Sequence, residues 1–396
     1  MMANRVPIDT YCEKKIPTLQ NTYDGLIDYI DISSVGNTAK KIISYQTIDA
    51  TEAPSRAKQL LQQGDVLVSM VRPNLNAVAV VEEASENLMV GSTGYCVLRC
   101  KDTMDVRYLF NFCQSQYFVD DMSSQATGAS YPAVSNSIVR GSLIPCHSIE
   151  EQKAIASVLD KISELISLHR QQLAKLDELV KSRFVELFGD PKTNPNRWPI
   201  SKLSEFCDLQ NGCAFKSDDY LTNSTVLNCR MSNIRPDGGF DAEYHPKYLP
   251  DMFWEKYKDY RLLDGDVIIA MTDMASDPKI LGVPTIVRTN GKKFLLNQRV
   301  GKLTFFDNTA ISNVYLMFVL SQKHIRQQLV KSAGGSTQIN VGKPAVLGVE
   351  FFVPPMKLQE QFAAFVEQTD KSKLAIQESL AKLETLKKSL MQQYFG

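Results

Sequence analysis

Leu173-Ala-Lys-Leu-Asp-Glu-Leu-Val-Lys-Ser-Arg-Phe-Val-Glu-Leu-Phe-Gly189 returns, with about half its positions identical, as Leu380-Ala-Lys-Leu-Glu-Thr-Leu-Lys-Lys-Ser-Leu-Met-Gln-Gln-Tyr-Phe-Gly396. The shared positions include the apolar face, and the two stretches mark a duplication with a period of roughly 200 residues. Shorter pairs follow in the same order. Gly64-Asp65-Val66-Leu67-Val68-Ser69-Met70 answers Gly265-Asp266-Val267-Ile268-Ile269-Ala270-Met271, and Tyr29 to Val35 answers Asn228 to Ile234. Thr127-Gly128-Ala129-Ser130 answers Ala333-Gly334-Gly335-Ser336, and Ile149-Glu150-Glu151-Gln152 answers Leu358-Gln359-Glu360-Gln361. Each half reads as a mixed domain followed by one long helix. The domains differ greatly between these landmarks while the helices stay alike, which suggests one scaffold carrying two different surfaces.

The helices extend well beyond the repeated stretch. Glu150 to Phe188 carries Ile155, Leu159, Ile162, Ile166, Leu173, Leu176, Val180 and Leu187 at alternating three-and-four spacing, a heptad seam. Leu358 to Phe395 repeats it less regularly with Phe362, Phe365, Ile376, Leu380, Leu383, Leu390 and Tyr394. No proline interrupts either run. One such helix alone would leave its seam in water, whereas two copies can cover each other. The second domain lies between them and must return the chain, so the simplest arrangement is an antiparallel pair with one domain at each end. A helix of ~38 residues spans about 57 Å and makes a rigid spacer. His169 falls on the seam and reads as a polar residue that sets register.

Within the domains, Gly64-Asp65 and Gly265-Asp266 are turn pairs leading into β-branched apolar runs, as expected of strands entering a core. Ala77 to Val81 and Val283 to Val287 read similarly. Tyr108 to Met122 and Tyr315 to Lys331 have helical spacing of apolar residues, each followed by a Gly-rich loop. Strands dominate, so each domain is expected to be α+β. The expected boundaries are 1–148 for the first domain and 149–189 for the first helix, then 190–356 and 357–396 for their second copies.

Composition excludes little. The 396 residues leave room for two domains, and no apolar run approaches the roughly 20 residues of a membrane helix. The start, Met1-Met2-Ala3-Asn4-Arg5-Val6-Pro7, lacks the basic-then-apolar plan of a signal peptide, so a cytoplasmic protein is expected. Eight cysteines form no CxxC pair and no zinc set, which fits reduced structural thiols. Formal net charge is zero, yet a neutral total can hide a basic face, so charge does not decide whether nucleic acid is the partner.

The succession domain, helix, domain, helix resembles the specificity subunits of Type I restriction-modification systems. So does the junction Leu187-Phe188-Gly189-Asp190-Pro191-Lys192-Thr193-Asn194-Pro195-Asn196-Arg197-Trp198-Pro199, followed by Leu203-Ser204-Glu205-Phe206-Cys207. The Gly-Asp-Val strand, the Thr/Gly-rich loop and the helix starts spanning Pro145 to Gln152 and Pro354 to Gln361 also resemble that family. The resemblance covers essentially the whole chain. It implies an α+β fold with two pseudo-two-fold-related target recognition domains separated by an antiparallel pair of long coiled-coil helices. Each domain would read one half of a bipartite double-stranded DNA target. The helices would fix the unread spacer and dock two methyltransferase subunits, and motor-nuclease restriction subunits would join for cleavage. No cofactor is implied in this chain: S-adenosylmethionine would bind the methyltransferase partner, which flips out the target adenine, and ATP and Mg the restriction partner.

Catalytic chemistry has no visible home. There is no GxxxxGK[ST] phosphate loop and no Asn/Asp-Pro-Pro-aromatic tetrapeptide; Pro354-Pro355 follows Val353 and precedes Met356. Pro236-Asp237 and Pro250-Asp251 lack a following Glu-x-Lys, and four scattered histidines offer no metal cluster. Neither catalytic nor metal-binding residues are therefore expected. Recognition needs hydrogen-bonding side chains on loops that reach base edges, with cations on phosphates. In the first domain the candidates are Ser69, Arg72 and Asn74 on one loop and Thr127, Ser130 and Tyr131 on another. In the second they are Arg230, Asn233, Thr272, Gln298, Arg299, Ser336, Thr337, Gln338 and Lys343. Each has a plainer reading too: Gly-Gly-Ser-Thr is first a flexible turn, Arg72 a solvated charge, Tyr131 a packing residue, Lys343 a surface cation. The competing function is a coiled-coil scaffold or adaptor without sequence-specific DNA binding.

Overall fold

Ile149–Phe188 and Met356–Phe395 form two continuous α-helices of 40 residues each, displaced by a constant 207 residues (149 to 356, 188 to 395). Their interiors hold no Gly or Pro and are rich in Leu, Lys, Glu, Gln and Ala, all strong helix formers. Ser148 and Glu151 form a reciprocal capping box on the first: each backbone N–H donates to the other's side chain, at 2.9 and 3.3 Å. Gly189 ends it in the left-handed region (φ +84°), and the Trp198 indole N–H donates to Phe188 O at 2.9 Å.

The computed structural model describes residues 4–20, 22–306 and 311–396. The sequence reading of Met1 to Ala3 lies outside the described residues. No helix of the described residues is long and apolar enough to cross a membrane. The chain divides into two compact units, 1–173 with 375–396, and 174–374, so each long helix is shared between them. The observed architecture is the expected one of mixed helix and sheet, with two domains and two long helices.

In the first unit a four-stranded sheet runs in the order Gln46–Asp49, Leu26–Ile30, Leu88–Ser92, Ala57–Leu60, its central pair parallel. A three-stranded antiparallel sheet places Val66–Ser69 between Val78–Val80 and Tyr95–Leu98. All four residues of Val66–Ser69 are buried, as the Gly-Asp-Val pattern predicts. The core joins this sheet to Tyr108, Phe112 and Phe118, and to Ile155, Leu159 and Phe395 of the long helices. Within this unit the helices run antiparallel: the His169 ring (Nε2) shares a hydrogen bond with the Ser379 hydroxyl at 3.0 Å, and Phe395 lies in one core with Leu159. His169 thus holds a polar rung between the two helices.

The second unit repeats the plan. Cys207–Asn211, Val300–Phe305, Val267–Ala270 and Pro284–Ile286 form an antiparallel sheet, and Tyr248–Leu249, Val226–Cys229, Lys293–Leu296 and Arg261–Leu262 form the other. Its core collects Phe184, Phe188, Tyr315, Phe352 and Phe362. Asp177 accepts from Lys373 at 2.7 Å while Phe184 meets Phe362 at 5.5 Å, so the helices are antiparallel here as well.

Three expectations need correction. Tyr108 to Met122 is two helices, Val106–Phe112 and Gln116–Gln125, because the Ser115 hydroxyl caps the second by accepting from Phe118 N–H. The break turns Phe118 back onto Phe112, ring centroids 5.6 Å apart, and apolar spacing alone does not register it. Tyr315 to Lys331 splits likewise into Asn313–Leu320 and Lys323–Ser332. Third, the counterpart of Gln152 is Gln359, not Gln361. Both are buried; Gln152 Oε1 accepts from Asp105 N–H at 2.9 Å and Gln359 Oε1 from Ser312 N–H at 2.8 Å. Their amide N–H groups donate to His147 O and Pro354 O. The Glu-Gln dipeptides aligned by type, whereas burial aligns the glutamines.

The same aromatic contact closes both cores. Phe395 packs on Tyr108 at 5.2 Å and Phe188 on Tyr315 at 5.1 Å, and both tyrosine hydroxyls donate to backbone, at Pro145 O and Phe352 O. Phe188→Ala and Phe395→Ala are each expected to lower stability by about 3–5 kcal/mol in denaturant titrations, as for other fully buried phenylalanines. A loss under about 1 kcal/mol at either position would show that its contact is dispensable.

Candidate nucleic-acid interface

The strand that follows each Gly-Asp turn is itself followed by a methionine whose backbone joins three segments. Met70 N–H donates to Gly94 O at 3.0 Å, and Met70 O accepts from Val134 N–H at 2.9 Å. Met271 N–H donates to Arg299 O at 3.0 Å, and Met271 O accepts from Val341 N–H at 2.9 Å. In both units a strand end, a tight turn linking strands of the two sheets and a Gly-rich loop are therefore tied together, although they lie far apart in sequence.

In the first unit Thr127 and Ala133 exchange both backbone bonds, and Arg72 N–H donates to Pro132 O at 2.7 Å. Arg72 and Asn76 both take left-handed backbone, φ 50° and 48°, around the single turn Pro73–Leu75. Such a conformation is uncommon outside glycine and costs on the order of 1 kcal/mol or more, so the surrounding bonds must hold it. Lys40 Nζ contributes by donating to Asn76 O; burial pulls this ammonium down to about 8. The outcome is an exposed pair: the Arg72 guanidinium lies 4.7 Å from the ring centroid of Tyr131, which is 69% exposed. Asn74, Thr127 and Ser130 are exposed beside it on the same two loops.

The second unit makes the same junction more regular. Thr272–Met274 and Gln338–Asn340 pair as antiparallel strands, and Gly334 exchanges both backbone bonds with Asn340. That six-residue closure matches Thr127 with Ala133, so Gly335 is the counterpart of Gly128, one residue on from the sequence alignment. Both have positive φ (+107° and +126°), and a Cβ would meet the carbonyl oxygen three residues on, at 2.9 and 2.0 Å. Gly334 has open space at that position.

The candidate residues sort by exposure. Ser336, Thr337, Gln298 and Arg299 are exposed, and Gln338 is half-buried in the new strand. Thr272 is buried and donates to Asn340 Oδ1 at 2.6 Å; Ser69 is buried and donates to Val71 O at 3.1 Å. Asn233 is buried and caps its own turn, accepting from Arg230 N–H at 2.8 Å and donating to Asp241 O. These three hold loops in place and do not present their polar atoms. Half-buried Arg230 donates to His245 O, and Lys343 pairs with Asp208 at 2.6 Å. Lys343 in turn holds the Asp208 carboxyl below its usual range.

Sequence reasoning missed the role of Asp273. Its carboxylate accepts from Met274 and Leu281 N–H at 2.8 and 2.9 Å and from Ile280 N–H, folding residues 274–281 into a loop with Met274, Asp277 and Lys279 exposed. Arg326 supports that loop by donating to Leu281 O and Lys279 O. Asp-x-x-x-Asp-Pro was the available signal, a polar run ending in a turn pair. Chemically, each junction offers a guanidinium, hydroxyls and amides on backbone-tied loops, a set suited to phosphates and base edges.

The chain matches the family described as Type I restriction modification DNA specificity domain over residues 9–178 and 195–388. It aligns at 25% identity with the Type I restriction enzyme MjaVIII specificity subunit of Methanocaldococcus jannaschii. That alignment covers 68% of this chain and 65% of that protein, a little under two thirds of its length. Among solved structures, the Type-I restriction-modification system S subunit from M. genitalium superposes with a TM-score of 0.59 at 16% identity, over 99% of this chain and 96% of that one. A chain described in the complex assembly and conformational transition of the type I R-M system gives the same TM-score at 22% identity, over 100% and 97%. These structural likenesses speak to the fold.

The glycine register is directly testable. Gly335→Ala and Gly128→Ala should each lower stability by about 1–3 kcal/mol and expose the loop to limited proteolysis, whereas Gly334→Ala should be silent. Equal effects at Gly334 and Gly335 would refute the one-residue shift.

Proposed function

The chain belongs to the Type I restriction modification DNA specificity family, and from that premise we propose that it is the sequence-reading subunit of a Type I restriction-modification enzyme. The observation that carries the reading is the methionine junction. The same three segments are tied by the same backbone bonds in both units, yet the exposed side chains are placed differently on them: Arg72, Asn74, Ser130 and Tyr131 on the strand-end and Gly-rich loops of one, Gln298, Arg299, Ser336 and Thr337 on the turn and Gly-rich loop of the other. A common frame with unlike side chains is what two half-sites of one asymmetric DNA target require. Amides and hydroxyls read base edges, and Arg72 and Arg299 take phosphates or guanine.

The rest of the enzyme lies in its partners. Two methyltransferase subunits dock on the long helices and supply S-adenosylmethionine and the adenine-flipping chemistry. Restriction subunits supply ATP- and Mg-dependent translocation and cleavage. The chain itself contributes no catalytic group, and it works in the cytoplasm, where the DNA is.

Mapping N6-methyladenine across a genome that expresses this chain with its methyltransferase should give one bipartite motif. Exchanging residues 1–148 for another family member's first domain should change one half of it and leave the other intact. Methylation that is absent, or a motif in which both halves change, would refute the reading; a chain that never joins a methyltransferase would favour a scaffold. On a smaller scale, Arg72→Ala should weaken binding to the cognate duplex by about 1–3 kcal/mol, measured by fluorescence anisotropy. Unchanged affinity would remove Arg72 from the interface.

A further inference from the structure

Cys12 and Cys100 face each other across a short antiparallel contact between the segment after the Ile8–Thr10 turn and the continuation of strand Tyr95–Leu98. The backbone bonds lie on either side of the pair. Glu13 N–H donates to Arg99 O at 2.8 Å, and Lys101 N–H donates to Tyr11 O at 2.9 Å. The two cysteines therefore occupy a non-hydrogen-bonded position, the kind in which facing Cα atoms approach to about 4.5 Å and side chains come closest. A disulfide spans Cα separations of roughly 4.4–6.8 Å, so this pair can be joined without moving the backbone. The thiols are already in contact: a hydrogen bond with Cys100 holds the Cys12 thiol below its usual range, and the same bond pushes Cys100 up.

The second unit holds the same position with a different pair. Val66 pairs with Leu98 and Val267 with Leu303, so two residues further on Cys100 corresponds to Phe305. Cys207 faces Phe305 as Cys12 faces Cys100, and Phe306 N–H donates to Phe206 O just as Lys101 does to Tyr11. The buried cysteine is thus present in both copies, whereas the residue opposite differs. An aromatic ring packs at the facing position in one copy, so packing does not call for a second thiol in the other. Cys100 is also the partly exposed member, which gives a small oxidant access to a pair whose other half lies in the core. The remaining cysteines of the unit are engaged differently. Cys113 is buried, Cys96 is buried and donates to Asn136 Oδ1 at 2.7 Å, and Cys146 meets the Tyr11 hydroxyl at 2.9 Å.

We infer that Cys12 and Cys100 form a reversible disulfide, a modification site in the first unit whose oxidant is a peroxide. One thiolate attacks a peroxide oxygen, the O–O bond breaks, the departing hydroxide is protonated to water and the sulfur becomes a sulfenic acid. The second thiol then attacks that sulfur and an S–S bond forms. Its proton and the displaced hydroxide leave as a second water, and two electrons have passed from the sulfurs to the peroxide. In a coupled pair the remaining proton is shared across the contact, so either sulfur can present the thiolate. The cross-link closes a loop from 12 to 100 that contains both sheets of the first unit. Closing it restricts the unfolded chain and so braces that unit alone. The site does not depend on what the chain binds.

The test treats the full chain with hydrogen peroxide, blocks the remaining thiols by alkylation, and maps the digest by mass spectrometry without reductant. A linked pair of peptides carrying Cys12 and Cys100 is expected, and dithiothreitol should separate it. Thiols counted after denaturation should fall from eight to six, two being consumed, with Cys207 still alkylated. The oxidised first unit should melt about 5 °C or more above its reduced form. Cys12→Ser should abolish the link and leave Cys100 as a sulfenic acid that dimedone traps. Cys100→Phe, which copies the pair of the second unit, guards against a folding defect: reduced, it should melt close to the unsubstituted chain, and peroxide should not shift it. Three outcomes would overturn the inference: Cys12 and Cys100 both left free by peroxide, Cys12 joined to Cys96 or Cys113 instead, or Cys100 driven to sulfinic acid with no link formed.

Discussion

Everything else in this chain depends on cores that borrow their last aromatic ring from a distant part of the sequence. Tyr108 is closed over by Phe395, and Tyr315 by Phe188. Fully burying a phenylalanine contributes about 1.5–3 kcal/mol, a sizeable part of the margin by which a domain is stable. The long helices are therefore part of each unit's core as well as links in the chain. A seam that must meet a partner along its whole length, and end on a fixed pocket, has little freedom to slip in register. The glutamines sharpen the constraint. Gln152 and Gln359 are buried and bonded to backbone on the preceding domain, so each helix begins at a set angle to that domain. A buried amide satisfied in one geometry penalises every other.

That rigidity separates frame from surface. The bonds that build each junction are backbone bonds, made by Met70 and Met271 to a turn between the two sheets and to a Gly-rich loop. Backbone bonds constrain side-chain identity only at special positions, such as Gly128 and Gly335, where a Cβ would strike a carbonyl. Elsewhere the loops are free to change. The result is a scaffold in which exposed residues can be replaced without disturbing the core, and in which loops arrive ordered, so less entropy is lost on binding.

The fold was largely legible in the sequence because duplication and heptad spacing are both periodic signals, and period survives divergence. The breaks in the helices at Ser115 and Ser321 were not, since both pieces of each pair carry apolar residues at helical spacing. The candidate loops were found by their position after Gly-Asp-Val and after the helices, but the individual residues were harder. Ser69, Thr272 and Asn233 are polar residues on loops, as a reader of DNA would be, yet each spends its hydrogen bonds on its own chain. Composition cannot distinguish a side chain that braces a loop from one that the loop displays. Asp273 illustrates the converse: a carboxylate unremarkable in sequence accepts from three backbone N–H groups, of Met274, Ile280 and Leu281, and so closes the loop 274–281.

The two junctions are not equally stiff, and the difference has a physical source. In the second unit Thr272–Met274 pairs with Gln338–Asn340 over three residues, and the Asp273 carboxylate fixes the loop beyond. In the first, the loops meet at the single bridge between Val71 and Ala133, with strain taken up by left-handed Arg72 and Asn76. A strained turn persists only while its surroundings determine it, and here they do so through Pro132, Lys40 and the contact of Arg72 with Tyr131. The guanidinium that would meet DNA is thus also part of what holds its own loop. On the proposed function, recognition by the first domain would be coupled to the conformation of that loop through one side chain, whereas in the second unit Arg299 lies on a short turn between strands of two sheets, where its side chain is exposed.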